Sequence, residues 1–95
     1  MNCLTKKISF ISGATSGLGK ELSIHLAKNG YHVLIHGRNQ NKLNSLYDEI
    51  KSLNGTSTII NLDLKDYEGI DKLGYEIFKK YKKLDLLVMN AAILG

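Results

Sequence analysis

The residues best suited to chemistry lie in one stretch, SGATSGLGK, Ser12 to Lys20. Its glycines, Gly13, Gly17 and Gly19, follow the spacing G-x3-G-x-G. A glycine-rich turn feeding a helix start presents free backbone N–H groups, and the helix dipole adds partial positive charge there. The chemistry is anion binding, of the kind that suits a pyrophosphate. Gly13 permits a tight turn, Gly17 lets a ligand approach the backbone, and Gly19 allows a helix to pack closely on a strand. Thr15 and Ser16 add hydroxyls for ribose or phosphate oxygens. The alternative is an ordinary strand-to-helix turn that tolerates glycine. A Walker loop is excluded: four residues do not separate the glycines, and Glu21 stands where Ser or Thr would follow Lys20.

A second group is His36-Gly37-Arg38-Asn39. In dinucleotide folds the end of the second strand carries an acidic residue for the ribose 2′-hydroxyl of NAD, or an arginine for the 2′-phosphate of NADP. No carboxylate occurs here, and Arg38 is the chain's only arginine. A guanidinium pairs with phosphate bidentately, which favours the phosphate role over that of a surface arginine. Third is Asp63-Leu64. Asp63 could accept from an adenine amino group with Leu64 beside the ring, or it could simply cap a turn.

These groups need a scaffold, and the chain's periodicity supplies one. Lys7 to Ser12 is a β-type run. Leu18 to Asn29 has Leu18, Leu22 and Leu26 at helical spacing, closed by Asn29-Gly30. Tyr31 to Ile35 is a second strand. Asn39 or Asn41 caps a helix bearing Leu43, Leu46, Ile50 and Leu53, which Asn54-Gly55 ends. Thr56 to Leu62 is a third strand. Asp66 caps a third helix bearing Ile70, Leu73, Ile77 and Tyr81, and Leu84 to Met89 is a fourth strand. The order β-α-β-α-β-α-β predicts an α/β, doubly wound parallel sheet of Rossmann type. Continuous apolar runs such as Val33-Leu34-Ile35 suit strands covered on both faces.

Together the pieces resemble the short-chain dehydrogenase/reductase family. Its TGxxxGxG motif is matched by SGATSGLG, with Ser12 in place of Thr. Its strand-three Asp-Leu pair is similar to Asp63-Leu64, and its NNAG motif to Met89-Asn90-Ala91-Ala92. Met89 replaces the first Asn of that motif and Ala92 its glycine. The resemblance runs over essentially the whole chain and implies a nicotinamide cofactor. By position it implies cofactor contacts at Gly13, Thr15, Ser16, Gly17, Leu18, Gly19, Asp63, Leu64, Asn90 and Ala91. Gly37 stands where NAD-preferring members carry Asp, and Arg38 resembles the NADP-preferring pattern. The expected cofactor is therefore NADP(H) rather than NAD(H), and the expected chemistry is carbonyl or alcohol oxidoreduction.

The resemblance also implies a catalytic Ser and a Tyr-x3-Lys pair located after the NNAG motif, beyond residue 95. Tyr47-Lys51 and Tyr75-Lys79 match that spacing, but both fall in helices before the fourth strand. They are read instead as tyrosines packed at the sheet-facing edge beside snorkelling lysines. No catalytic residue is assigned. Residues 1–95 are expected to be the first part of one NAD(P)-binding domain, without a second domain and without turnover by themselves. The alternatives are a non-catalytic nucleotide-binding module, or half of a split enzyme completed by a partner chain along an exposed fourth strand.

Composition bounds the rest. Hydrophobic residues make up 43% and charged residues 23%, ordinary for a globular chain of 95 residues. Cys3 is the single cysteine, so no internal disulfide forms and a reducing, cytoplasmic compartment is expected. His25, His32 and His36 lack partners at metal-ligand spacing. The first ten residues, MNCLTKKISF, show no signal-peptide pattern, and no stretch approaches the roughly 20 apolar residues of a membrane span. The net charge of +4 includes the cluster Lys79, Lys80, Lys82 and Lys83. Without interleaved aromatic contacts for bases, this reads as a solvated helix end rather than a nucleic-acid patch.

Overall fold

A computed structural model of the chain describes residues 6–61 and 67–88. Its elements alternate as β1 (Lys7–Ile11), α1 (Gly17–Lys28), β2 (Tyr31–Gly37), α2 (Gln40–Ser52), β3 (Thr56–Asn61), α3 (Tyr67–Tyr81) and β4 (Leu86–Val88). The strands form one sheet in the order β3-β2-β1-β4, and every pairing is parallel. The order steps outward from β1 in both directions, so the chain reverses its direction of travel across the sheet after β3. All strand carboxyl ends then lie along one edge, with the turns after β1 and β2 side by side.

The two faces are covered by different helices. Ile11, Val33 and Ile35 point to one face, where Ala27 of α1 and Leu43, Leu46 and Ile50 of α2 bury them. Ile8, Phe10 and Leu34 point to the other, beneath Leu73, Ile77 and Tyr81 of α3. This two-sided cover explains the continuous apolar runs of β1 and β2. Full burial of one such Ile or Leu side chain contributes about 1.5–3 kcal/mol, so the sheet centre dominates the fold's stability.

Several local details depart from the sequence expectation. β2 continues to Gly37, two residues past Ile35. Leu18 is 65% exposed, so the stripe on α1 begins wrongly when read from its leucines. The residues of α1 buried in the fold are Gly19, Ser23 and Ala27, a stripe of small side chains. Leu53 is the C-cap of α2 and is exposed, not part of its buried face. Asn39, rather than Asn41, caps α2: its Oδ1 accepts from the Lys42 N–H at 3.1 Å. Asp66, the expected cap of α3, and the side chain of Ile70 lie outside what is described, as does Cys3.

β4 begins at Leu86, later than expected, and Asp85 precedes it rather than joining it. The Asp85 carboxylate accepts from the Ile8 N–H at 2.6 Å, and its own N–H donates to the Ile8 carbonyl at 2.8 Å. The residue staples the start of β4 to the start of β1. The Ile8 N–H holds its carboxyl below the usual carboxylate range, and nearby Lys83, at 3.3 Å, acts in the same direction.

Candidate nucleotide site

The site begins with the turn after β1. Gly13 has φ +61°, a left-handed conformation that glycine adopts without strain. The turn hangs from the strands on both sides. Ser12 N–H donates to the Val88 carbonyl of β4 at 2.9 Å, and Ala14 N–H to the His36 carbonyl of β2 at 2.8 Å. Sheet hydrogen bonding thus continues past the end of β1 and fixes the loop before the helix starts.

Ser16 is the N-cap of α1. Its Oγ donates to the Gly13 carbonyl at 2.9 Å and accepts from the Gly19 N–H at 3.3 Å. Its carbonyl accepts from the Lys20 N–H at 2.7 Å. The expectation of a Ser16 hydroxyl offered to a ligand therefore meets a hydroxyl already engaged in capping. The N–H groups of Gly17 and Leu18 have no acceptor among the described residues. Two adjacent donors at the positive end of a 12-residue helix are the free anion-binding groups of this site.

The glycines divide by role. A Cβ on Gly19 would collide with the Gly13 carbonyl oxygen and lie 3.0 Å from the Ala14 Cα, both backbone atoms. That position needs glycine so that α1 can sit against its own loop. A Cβ on Gly17 would meet nothing within 4 Å among the described residues. Among those residues no atom requires glycine at Gly17, and the open space beside its N–H is a cradle that a side chain would fill. This fits a dinucleotide phosphate approaching the backbone there. Leu18, exposed beside the same turn, presents an apolar surface.

Gly37 ends β2, buried, with a hypothetical Cβ 3.3 Å from the Leu43 Cδ2. Arg38 follows it, exposed, with no ion pair among the described residues. Thr15 faces the first turns of α2 across a cleft of about 340 Å³ that Lys20, Asn41, Lys42, Ser45 and Leu46 also line. Lys20 is held by Glu49 of α2 at 3.4 Å. The structure therefore brings Gly13, Thr15, Ser16, Gly17, Leu18 and Gly19 together in one turn, with Arg38 on the adjacent strand end. Asp63, Leu64, Asn90 and Ala91 lie outside the described residues, as do Met89 and Ala92.

The two Tyr-x3-Lys matches lie in α2 and α3, away from the turns at the strands' carboxyl edge. Their tyrosines do not pack at the sheet-facing edge as expected. Tyr75 is 65% exposed, and the sheet-facing residues of α3 are Leu73, Ile77 and Tyr81; Tyr47 is also exposed.

A second polar cluster, at the opposite edge of the sheet, was not anticipated. His32 Nδ1 is 2.8 Å from Thr56 Oγ1, and its Nε2 is 2.9 Å from Thr58 Oγ1 and 3.3 Å from Tyr81 Oη. Lys6 Nζ donates to the same Thr56 hydroxyl at 3.0 Å. Burial holds the imidazole below the usual histidine range, helped by the positive charges of Lys6 and Lys80. Register alone joins His32 to Thr56, so only strand pairing could have revealed the cluster. Among the described residues no group of three His, Cys, Asp or Glu could hold a metal ion, and no helix is long and apolar enough to cross a membrane.

Comparison with known proteins agrees with this architecture. The family model for short chain dehydrogenase matches residues 7–95. The chain is 34% identical over 95 residues to a 3beta-hydroxysteroid dehydrogenase from Mediterraneibacter gnavus, covering 100% of this chain and 34% of that protein. It is 41% identical over 90 residues to the 3-oxoacyl-[acyl-carrier-protein] reductase FabG of Rickettsia felis, covering 95% of this chain and 34% of that protein. Among solved structures, a betaketoacyl-[ACP] reductase (FabG) from Bacteroides thetaiotaomicron superimposes with TM-score 0.85 at 32% identity, over 93% of this chain and 40% of that one. An actinorhodin polyketide ketoreductase solved with NADPH superimposes with TM-score 0.84 at 26% identity, over 95% of this chain and 34% of that one. The chain thus spans about a third of the length of the curated relatives it matches.

Proposed function

The chain belongs to the short-chain dehydrogenase family, and we propose that it is the NADP(H)-binding portion of an oxidoreductase acting on a carbonyl or alcohol. The observation that carries this reading is the β1–α1 turn: two N–H groups, on Gly17 and Leu18, without an acceptor among the described residues, at a helix start, beside a glycine whose missing Cβ leaves open space among those residues. In this reading the pyrophosphate takes those two donors. Thr15 offers its hydroxyl to the adenosine side, and Ser16 holds the loop in shape through its cap. Asp63 and Leu64 take the adenine, and Asn90 and Ala91 lie beside the ribose on the nicotinamide side. The nicotinamide, when bound, supplies or receives the hydride.

The preference for NADP(H) rests on Arg38, exposed and without a carboxylate partner among the described residues, and on Gly37, which places no acid beside the ribose. Among the structural neighbours the polyketide ketoreductase was solved with NADPH and a 7 alpha-hydroxysteroid dehydrogenase with NADH, so the preference proposed for this chain rests on its own residues. Neither Tyr-x3-Lys pair approaches the cofactor turn, so the 95-residue chain is not expected to turn over by itself. A reading as half of a split enzyme has one observation in its favour. β4 pairs with β1 alone among the described strands, and its Leu87 is 55% exposed. A complementing chain would pair along that edge.

Isothermal titration of the 95-residue chain tests the proposal. NADPH is expected to bind more tightly than NADH. Tighter binding of NADH would refute the role given to Arg38, and NADPH consumption by the pure chain with a carbonyl panel would refute the absence of turnover.

A further inference from the structure

We propose that the outer edge of β3 receives an extended acidic segment of a partner protein, which joins the sheet as a further strand with its carboxylates held by Lys6 and Lys80. The proposal does not depend on the nucleotide site, which lies at the strands' carboxyl ends.

β3 is the outermost strand of the sheet and pairs with β2 alone among the described strands. The backbone groups on its outer side have no partner among the described residues. Such a row of donors and acceptors is a template for another strand. Edge strands are commonly blunted by a charge, a proline or a bulge within the strand. β3 has none of these: its sequence is TSTIIN, and its register with β2 runs unbroken from Thr56 to Asn61. Its β-branched residues favour extended pairing. Ile59 and Ile60, on opposite faces, are only half-buried, so an added strand would gain apolar contact on both sides.

Charge at the amino end of β3 selects the partner. Lys6 reaches over from the start of β1, and its Nζ donates to Thr56 Oγ1 at 3.0 Å. Lys80 Nζ stands 5.4 Å from the centre of the Tyr81 ring, whose hydroxyl lies 3.2 Å from Thr58 Oγ1. Neither ammonium has a carboxylate partner among the described residues. Opposite charges across a strand pair stabilise it, so carboxylates beside Thr56 and Thr58 are the complement. A second copy of this chain would offer its own TSTIIN, with no carboxylate to meet the lysines. Nucleic acid and lipid headgroups bring anions but no ladder of N–H and C=O groups, and would leave the edge unpaired.

The probe is a fluorescein-labelled decapeptide of alternating glutamate and valine, followed by anisotropy with the 95-residue chain. It is expected to bind, with slowed deuterium exchange confined to Thr56–Asn61. The same peptide methylated on alternate backbone nitrogens, and a lysine–valine counterpart, are expected not to bind. Lys6→Glu combined with Lys80→Glu should weaken binding about tenfold or more, since each surface ion pair is worth up to about fivefold and repulsion replaces it. The same charge change at Lys42 and Lys72 should stay within about threefold, and circular-dichroism melting checks that both double variants keep the fold. Equal binding of the methylated peptide, or of a thymidylate decamer through the same lysines, would show a polyanion surface without strand addition. Protection at Leu86–Val88 would place the peptide on the other edge, and uniformly slow exchange across Thr56–Asn61 in the free chain would show an edge already covered. Each of these results, like absence of binding, would overturn the proposal, and none of them bears on the NADPH titration.

Discussion

Gly17 and Gly19 stand two residues apart in one helical turn, and the structure predicts opposite consequences for the same substitution. In Gly19→Ala the new methyl meets the Gly13 carbonyl oxygen and lies 3.0 Å from the Ala14 Cα. Both are backbone atoms in a loop hydrogen-bonded to β2 and β4, so neither yields cheaply. Overpacking of this kind costs about 1–3 kcal/mol. For a domain of this size each kcal/mol lowers Tm by about 4–8 °C, so the loss is easily resolved. In Gly17→Ala the methyl meets nothing within 4 Å among the described residues. Replacing glycine in a helix by alanine gains up to about 1 kcal/mol, less at the first position, so stability should hold or rise slightly. Nucleotide affinity should nevertheless fall, because the methyl enters the space beside the free Gly17 N–H. The assay pairs circular-dichroism melting with isothermal titration against NADPH. Parent-like affinity in a fully folded Gly17→Ala would refute the idea that the ligand approaches there. An unaltered Tm in Gly19→Ala would refute the packing argument that separates the two glycines.

Other expectations follow from single contacts. Replacing Gly37 by Asp should move preference toward NADH, since the carboxylate would face the ribose; its Cβ lies 3.3 Å from a Leu43 methyl that can shift slightly, so a modest Tm loss is expected, and unchanged preference by titration would count against the assignment. Asp85→Asn should lower the urea midpoint at neutral pH by weakening the staple to the Ile8 N–H; because the folded carboxyl titrates below its ordinary value, the stability it contributes is present above about pH 4 and lost as the pH falls through the folded value, and the variant should lack that part of the acid dependence. For His32 the folded imidazole is the harder one to protonate, so its contribution is complete above the unfolded value near 6.5 and declines as the pH falls from there toward the folded value. Urea midpoints between pH 7.5 and 5.5 should drop less in His32→Gln than in the parent; equal drops would show that the Thr56, Thr58 and Tyr81 cluster is not what titrates.

What could be read from the sequence was chemistry contained within one turn or one period. The glycine loop, the Asn39 cap and the Leu43-Leu46-Ile50 stripe each lie within a few residues, so local rules suffice. Misreadings arose where packing chose against residue size. On α1 the leucines suggested the buried face; Leu26 does pack against the core, but Leu18 is exposed, and the helix lies so close to its loop and sheet that the fully buried positions are Gly19, Ser23 and Ala27. At the end of α2 the pair Asn54-Gly55 marks the helix stop in the sequence. It is Asn54 that takes the left-handed conformation, φ 64°, while a Cβ on Gly55 would lie 2.9 Å from Ile50 Cγ2 and 3.0 Å from Ala27 Cβ. Glycine is needed there for close approach between elements, a requirement set by Ala27 from another helix and invisible along the chain.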